Sequence, residues 1–273
     1  MTNEKKIVEE RIVRLKPIMK ERGYSLKCQE KIDNNGMKYG IEVMPASSLL
    51  PFGITLFYET DWGEKSDEEL AAMLVEASNY LPKLKQDMFA DKSVILSKVK
   101  PLIYSIENLK NFKKTKIFYR KTKVFLILFY VRFEKGWIVK ISWPYMEKMK
   151  IFEDELIEHA FENLKTDLLI LGNNLRLSDE NVFPIYAITN QRMNLGAAGI
   201  LLPEVYRILS EKLGEEFLIF PSSIHECIAI PFVEKQDGLM KMLQESNEKS
   251  VQQSERLSNH IYLCTQNGMS ILQ

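Results

Sequence analysis

The chain has 273 residues, 45% of them hydrophobic and 27% charged, with 37 Lys and Arg balanced against 37 Asp and Glu. That length supports a sizeable core in two modest domains or one large one. The 12 Gly, 10 Pro and 3 Cys exclude a collagen-like repeat, a disordered tail and a disulfide scaffold.

Near Asn3 to Arg22 the spacing of Ile7, Val8, Ile12, Leu15 and Met19 predicts a helix stopped by Gly23, with Pro17 predicting a kink or an early end. Alternation at Leu26, Cys28 and Ile32 and at Tyr39, Ile41 and Val43, around Asn34-Asn35-Gly36, predicts a β-hairpin turned by Asn-Gly. Ile54, Leu56 and Tyr58 suggest another strand. Ser66-Asp67-Glu68-Glu69 is a capping box opening a helix with Leu70, Met73, Leu74, Ala77 and Leu81 on one face.

Residues 116–143 read as β-structure. Val124 to Val131, apolar on both faces, predicts a strand in the middle of a sheet, and Glu134-Lys135-Gly136 turns it back into Trp137, Val139 and Ile141. Leu156, Ala160, Leu164 and Leu168, with Ile157 and Phe161 beside them, predict a long helix. GNNLRLSDEN reads as a loop, followed by strands at Pro184–Thr189 and near Gly196–Leu201. A helix then opens at Pro203, buries Val205, Ile208, Leu209 and Leu213, and stops at Gly214. Short strands at Phe217–Phe220 and Cys227–Ile230 flank Pro-Ser-Ser-Ile-His-Glu. A helix around Leu239, Met240 and Leu243, a polar linker-like stretch Gln244–Ser258 and a strand at Ile261–Cys264 complete the chain. Strands and helices mix without a βαβ rhythm. The expected fold is α+β: mixed, largely antiparallel sheets with flanking helices in two lobes, a basic one over 1–175 and an acidic one over 176–273.

The zero net charge hides an asymmetry. Met1 to Lys150 carries a balance of +9 and Ile151 to Gln273 one of −9, and 15 basic residues between Lys92 and Lys150 face only Glu107, Glu134 and Glu147. Such a split marks either a surface for nucleic acid or another acidic partner, or two regions that attract each other. Cys28, Cys227 and Cys264 have no CxxC spacing, as in a reducing compartment. The N-terminus is charged throughout and lacks the apolar core of a signal peptide. The longest apolar run, Val124–Val131, falls far below the roughly twenty residues a bilayer span needs. The expectation is a soluble, cytoplasmic protein with no membrane partner.

Chemical signatures are few. No phosphate-binding loop, GxGxxG, GxSxG or HExxH is present, and His159, His225 and His260 are far apart, so no metal or cofactor is expected. The richest stretch is Pro221 to Cys227. There Ser222 or Ser223 could serve as nucleophile with His225 as base and Glu226 as orienter, or Cys227 could be the nucleophile. The alternative is plain turn chemistry, in which serine hydroxyls bond nearby backbone. Asn190 and Arg192, followed by the small residues Gly196 to Gly199, are ligand-binding candidates. Lys113, Lys114, Lys116, Arg120, Lys121 and Lys123, interleaved with Phe112, Phe118 and Tyr119, offer cations for phosphates and rings for bases. Lysines also protect exposed strand edges.

The block from Asn181 to Pro231, followed by Leu257 to Tyr262, resembles a bacterial family known as domain of unknown function 5688, and the resemblance extends over nearly the whole chain. The matching elements are Tyr186, Thr189, Asn190, Gly196, Ala197, Ala198 and Pro221 to Glu226. Cys227 stands where that family usually has an aliphatic residue, which weakens a cysteine nucleophile. The resemblance implies an α+β unit and singles out the Pro-Ser-Ser-Ile-His-Glu turn, but brings no activity. Three readings stand: a non-catalytic binding or regulatory module with a protein partner or acidic polymer; a hydrolase using the turn; a nucleic-acid-binding protein using residues 112–123.

Overall fold

The computed structural model describes residues 3–34, 36–47, 53–79, 91–132, 138–176, 182–233 and 237–271. The chain divides into two compact units, Met1–Asp91 and Lys92–Gln273. Every pairing among the described strands is antiparallel, so the fold is α+β.

In the first unit, helix α1 (Asn3–Glu21) precedes a meander of β1 (Tyr24–Asp33), β2 (Gly36–Pro45) and β3 (Ile54–Phe57), and α2 (Asp67–Ser78) follows. Helix α1 runs through Pro17 without an early end. Pro17 and Val13 are both exposed, so the position where the proline cannot bond the preceding turn lies on the outer face of the helix. Gly23, at φ +81°, ends it. The hairpin forms, but Asp33 pairs with Gly36, so Gly36 belongs to β2 and not to the turn; Asn35 lies outside the described residues. The capping box is in place: Ser66 Oγ accepts the Glu69 N–H at 3.2 Å and the Glu69 carboxylate accepts the Ser66 N–H at 2.8 Å. Met73 is half-exposed on α2, Ala71 taking its place in the buried face, and Leu81 lies outside the described residues. Arg11, only 8% exposed, is held by Asp67 Oδ1 and by the carbonyls of Trp62 and Lys65, which satisfies a charge that burial would otherwise penalise.

The second unit opens with α3 (Lys92–Leu96), β4 (Val99–Ser105) and the short α4 (Leu109–Phe112). Next come β5 (Tyr119–Lys121), β6 (Phe125–Arg132), β7 (Ile138–Lys140), α5 (Trp143–Met149) and α6 (Glu153–Asp167). Strand β6 is buried almost throughout because β4 lies on one side of it and β5 and β7 share the other. The turn at Glu134–Gly136 and Trp137 lies outside the described residues. Helix α6 stops at Asp167, one residue short of Leu168, and buries Leu156, Ala160 and Leu164. Its Asn163 amide donates to the carbonyls of Leu96 and Val99, fixing it on β4.

The rest of the unit comprises β8 (Leu168–Arg176), β9 (Val182–Asn190), a 3₁₀ turn (Ala197–Leu201), α7 (Pro203–Leu213), β10 (Phe217–Phe220) and β11 (Cys227–Pro231). Helix α8 (Asp237–Ser250), β12 (Tyr262–Thr265) and β13 (Gly268–Ile271) close it. The sheet order is β13-β12-β10-β11-β9-β8. Gly172 to Arg176, expected in a loop, continue β8, with Gly172 opposite Tyr186 and Asn174 opposite Pro184. An edge strand with exposed polar residues has no apolar alternation to reveal it. Residues 175 and 176 thus lie within one strand. The strand expected near Gly196–Leu201 is the 3₁₀ turn, and α8 extends into the stretch expected to be a linker. Helix α7 starts at Pro203 and ends at Gly214, φ +105°, as its caps dictate.

Candidate functional site

Two polar regions of the second unit stand out. The first is the turn between β10 and β11. Ser223 is 6% exposed, and its Oγ accepts the N–H groups of His225 (3.1 Å) and Glu226 (3.2 Å), a serine turn closed on its own backbone. The turn is clasped from both sides. From residues 255–258, the Ile224 N–H donates to the Glu255 carbonyl, the Leu257 N–H to the Ser222 carbonyl and the Ser258 N–H to the Pro221 carbonyl, at 2.8–3.1 Å. From residues 189–197, Thr189 Oγ1 and the Gly196 N–H both donate to the His225 carbonyl at 2.9 and 3.0 Å, and the Ala197 N–H donates to the Ile224 carbonyl at 3.3 Å.

His225 is the pin of this clasp. Its Nδ1 lies 3.1 Å from the Leu195 backbone nitrogen, which can only donate, so Nδ1 carries the lone pair and Nε2 the proton. Nε2 faces Glu255 Oε1 at 3.2 Å. The amide of Asn194 also reaches Nδ1 at 3.2 Å, and its Oδ1 accepts from Arg132 at 2.6 Å. Both ring nitrogens are thereby engaged, neither by Ser222 or Ser223, and the carboxylate beside the ring belongs to Glu255, with Glu226 sequence-adjacent but not its partner.

The 190–196 loop that supplies these groups is shaped by Asn190. Its Oδ1 accepts the N–H groups of Arg192 (3.0 Å) and Asn194 (3.3 Å), and its amide donates to the Asn194 carbonyl at 2.9 Å. Asn190 is 3% exposed, whereas Arg192 is exposed. Met193 and Leu195 adopt left-handed φ of 51° and 59°, an unfavourable conformation that neighbouring contacts must hold in place. Gly196 is required by space: a Cβ there would meet the Asn190 nitrogen at 2.5 Å and Thr189 Oγ1 at 2.7 Å.

Cys227 is fully buried at 0% exposure, and burial pushes its thiol well above the ordinary range; the same cause raises Cys264 to about 12. A thiolate nucleophile is unfavourable in that surrounding. Among the described residues no group of three His, Cys, Asp or Glu is placed to hold a metal ion, and no described helix is long and apolar enough to cross a membrane.

The second region is the edge formed by residues 113–123. Lys113, Lys114, Lys116, Arg120, Lys121 and Lys123 are all exposed. Phe112 and Phe118 are instead fully buried, Phe112 edge-on to Tyr104 and Phe118 stacked on Phe129 at 5.2 Å. Basic residues of 92–150 meet the acidic segment after 150 in three ion pairs: Lys92 with Glu155, Lys100 with Asp167, and Arg120 with Glu153. The charge split thus lies within the second unit and is in part self-neutralising. Lys113, Lys114, Lys116, Lys121 and Lys123 pair with no carboxylate among the described residues.

Sequence reasoning singled out His225 and Ser223 but missed Arg132, Asn194, Leu195 and Glu255, which engage the turn from distant positions, and Trp143, whose N–H donates to the Lys116 carbonyl at 2.8 Å. Only the run Thr189-Asn190 followed by Gly196-Ala197-Ala198 carried a signal, through its small residues.

These features define an α+β chain of antiparallel sheets with one polar turn locked into the fold and one basic edge left open. The model of the family of unknown function DUF5688 matches residues 5–265, and the chain belongs to that family. No curated protein and no solved structure matches it.

Proposed function

We propose that the protein is a non-catalytic binding module that holds nucleic acid by its phosphates along the basic edge of the second unit. The observation that carries this reading is the set of five exposed lysines, Lys113, Lys114, Lys116, Lys121 and Lys123, without carboxylate partners among the described residues, beside neighbouring cations that are paired. Protection of a strand edge explains them less well, because β5 is only three residues long and four of the five lysines lie outside it. The turn supports the non-catalytic half of the proposal. His225 has both ring nitrogens engaged by Leu195 and Glu255, and Ser223 has its hydroxyl engaged by two backbone N–H groups.

The test is fluorescence anisotropy of labelled oligonucleotides at about 50 and 200 mM salt, where phosphate contacts reveal themselves by counterion release. Five contacts to a single strand predict a fall in affinity of about 100-fold over that range, and Lys113/Lys114/Lys116→Ala should abolish most of the low-salt binding. Absence of binding at the lower salt would defeat the proposal. A serine-reactive phosphonate provides the complementary control: covalent labelling of Ser222 or Ser223 that disappears in His225→Ala would favour the hydrolase reading.

A further inference from the structure

Phe112 and Phe118, two of the rings that the sequence interleaves with the lysines, point into the core, yet the same edge carries other aromatic side chains at its surface. Trp143 is 46% exposed and Phe152 is 75% exposed. Each is tied to the basic edge. Trp143 opens α5, its N–H donates to the Lys116 carbonyl, and Ser142 bridges Ile117. Its indole meets Phe118 at 4.8 Å with the ring planes 82° apart, so Phe118 can cover at most one indole face. Phe152 directly precedes Glu153, the partner of Arg120, and Lys92 Nζ lies 5.9 Å from its ring centre. The segment of Lys116 and Arg120 is therefore tied to α5 and to the start of α6, the elements that carry these rings.

From this placement we infer that the ligand of the basic edge is single-stranded nucleic acid, with Trp143 as the platform on which a base stacks. The inference rests on the phosphate-binding reading and adds a requirement to it. Lysines alone hold a duplex or any other polyanion equally well, because they read charge. A ring can be used only by a base free to leave its neighbours, and stacking on an aromatic platform is how sequence-tolerant single-strand binders gain affinity beyond charge. Trp143 suits that role because its backbone is bonded to the basic segment and Phe118, itself stacked on Phe129, holds the indole from one side. Charge complementarity also selects this occupant over an apolar protein surface: Trp143 is bonded through its backbone to Lys116, which has no carboxylate partner among the described residues, whereas the cations near Phe152, Lys92 and Arg120, are paired with Glu155 and Glu153.

The experiment measures anisotropy of the whole chain with three probes: an oligothymidylate of about 16 nucleotides, an abasic strand of the same length and charge, and a duplex of the same length. The expected result is that the oligothymidylate binds about tenfold more tightly than the abasic strand. Trp143→Ala should erase that difference without weakening the abasic strand, and Trp143→Phe should retain most of it. Circular dichroism establishes that the variants fold, and the comparison of probes on the unaltered protein needs no variant. Equal binding of the oligothymidylate and the abasic strand, reduced by Lys113/Lys114/Lys116→Ala, overturns the stacking inference and leaves the phosphate-binding proposal standing. Binding of the duplex as tight as that of the oligothymidylate also overturns it. No binding of any probe at low salt overturns both.

Discussion

The turn at 221–227 and the edge at 113–123 are both rich in polar side chains and treat them in opposite ways. In the turn, hydroxyl, imidazole and backbone groups are matched to partners within the turn and from two other segments, 189–197 and 255–258, and Ser223 is nearly sealed from water. On the edge, five ammonium groups stand in solvent with no carboxylate among the described residues to neutralise them. A buried polar group without a partner costs more than the bond it would make, so the matched turn reads as part of the framework. A solvated lysine costs almost nothing to leave unpaired, so the edge remains available to a ligand. Polarity alone therefore does not mark a site; what matters is whether the groups have already been satisfied.

The comparison can be broken most severely at Gly196. Gly196→Ala drives a methyl into the Asn190 backbone nitrogen and Thr189, and the overpacking should cost about 3 kcal/mol in urea unfolding. His225→Ala removes the acceptor of the buried Leu195 N–H and should cost about 2 kcal/mol. His225→Asn, whose amide oxygen can take the position of Nδ1, should recover part of that loss, and unchanged stability of His225→Ala would show that the clasp is not structural. Ser223→Ala leaves two N–H groups without their acceptor and should cost about 1 kcal/mol, against less than about 0.5 kcal/mol for Ser222→Ala, whose clasp contact is made by its carbonyl. At the other end, Lys113/Lys114/Lys116→Ala should change stability by no more than about 0.5 kcal/mol in the same assay while removing oligonucleotide binding. A large loss of stability there would make the lysines structural and erase the contrast.

Elements with local signals were legible. Ser66 to Glu69 capped α2, Pro203 and Gly214 bounded α7, and the uninterrupted apolar run around Phe125 to Val131 formed the buried strand β6. Elements without such signals were not. Residues 197–201 are a short apolar run that periodicity cannot assign, and Gly196 before them is fixed by contact with Thr189 and Asn190. Strand β8 carries polar residues because it lies at the sheet edge, and β13 is defined by its pairing to β12 after Gly268 at φ +131°. At the candidate sites, the sequence offered a serine, a histidine and a glutamate in one run and a set of lysines among aromatics. It could not show that His225 turns to Glu255 in place of Glu226, or that Phe112 and Phe118 face inward while Trp143 faces out.

The α+β class, the helix caps, the central strand and the concentration of positive charge between Lys92 and Lys150 follow from the order of residues alone. These depend on hydrophobic spacing, on bonds between residues three or four apart, and on composition. Which charges are neutralised, which rings are exposed and where His225 places its proton are set by the folded arrangement. Each of those depends on a partner from a distant segment: Glu153 for Arg120, Ser142 and Trp143 for the 116–118 edge, Leu195 and Glu255 for the imidazole. Such partners meet only when the sheets form, because no local spacing encodes a contact closed by strand pairing.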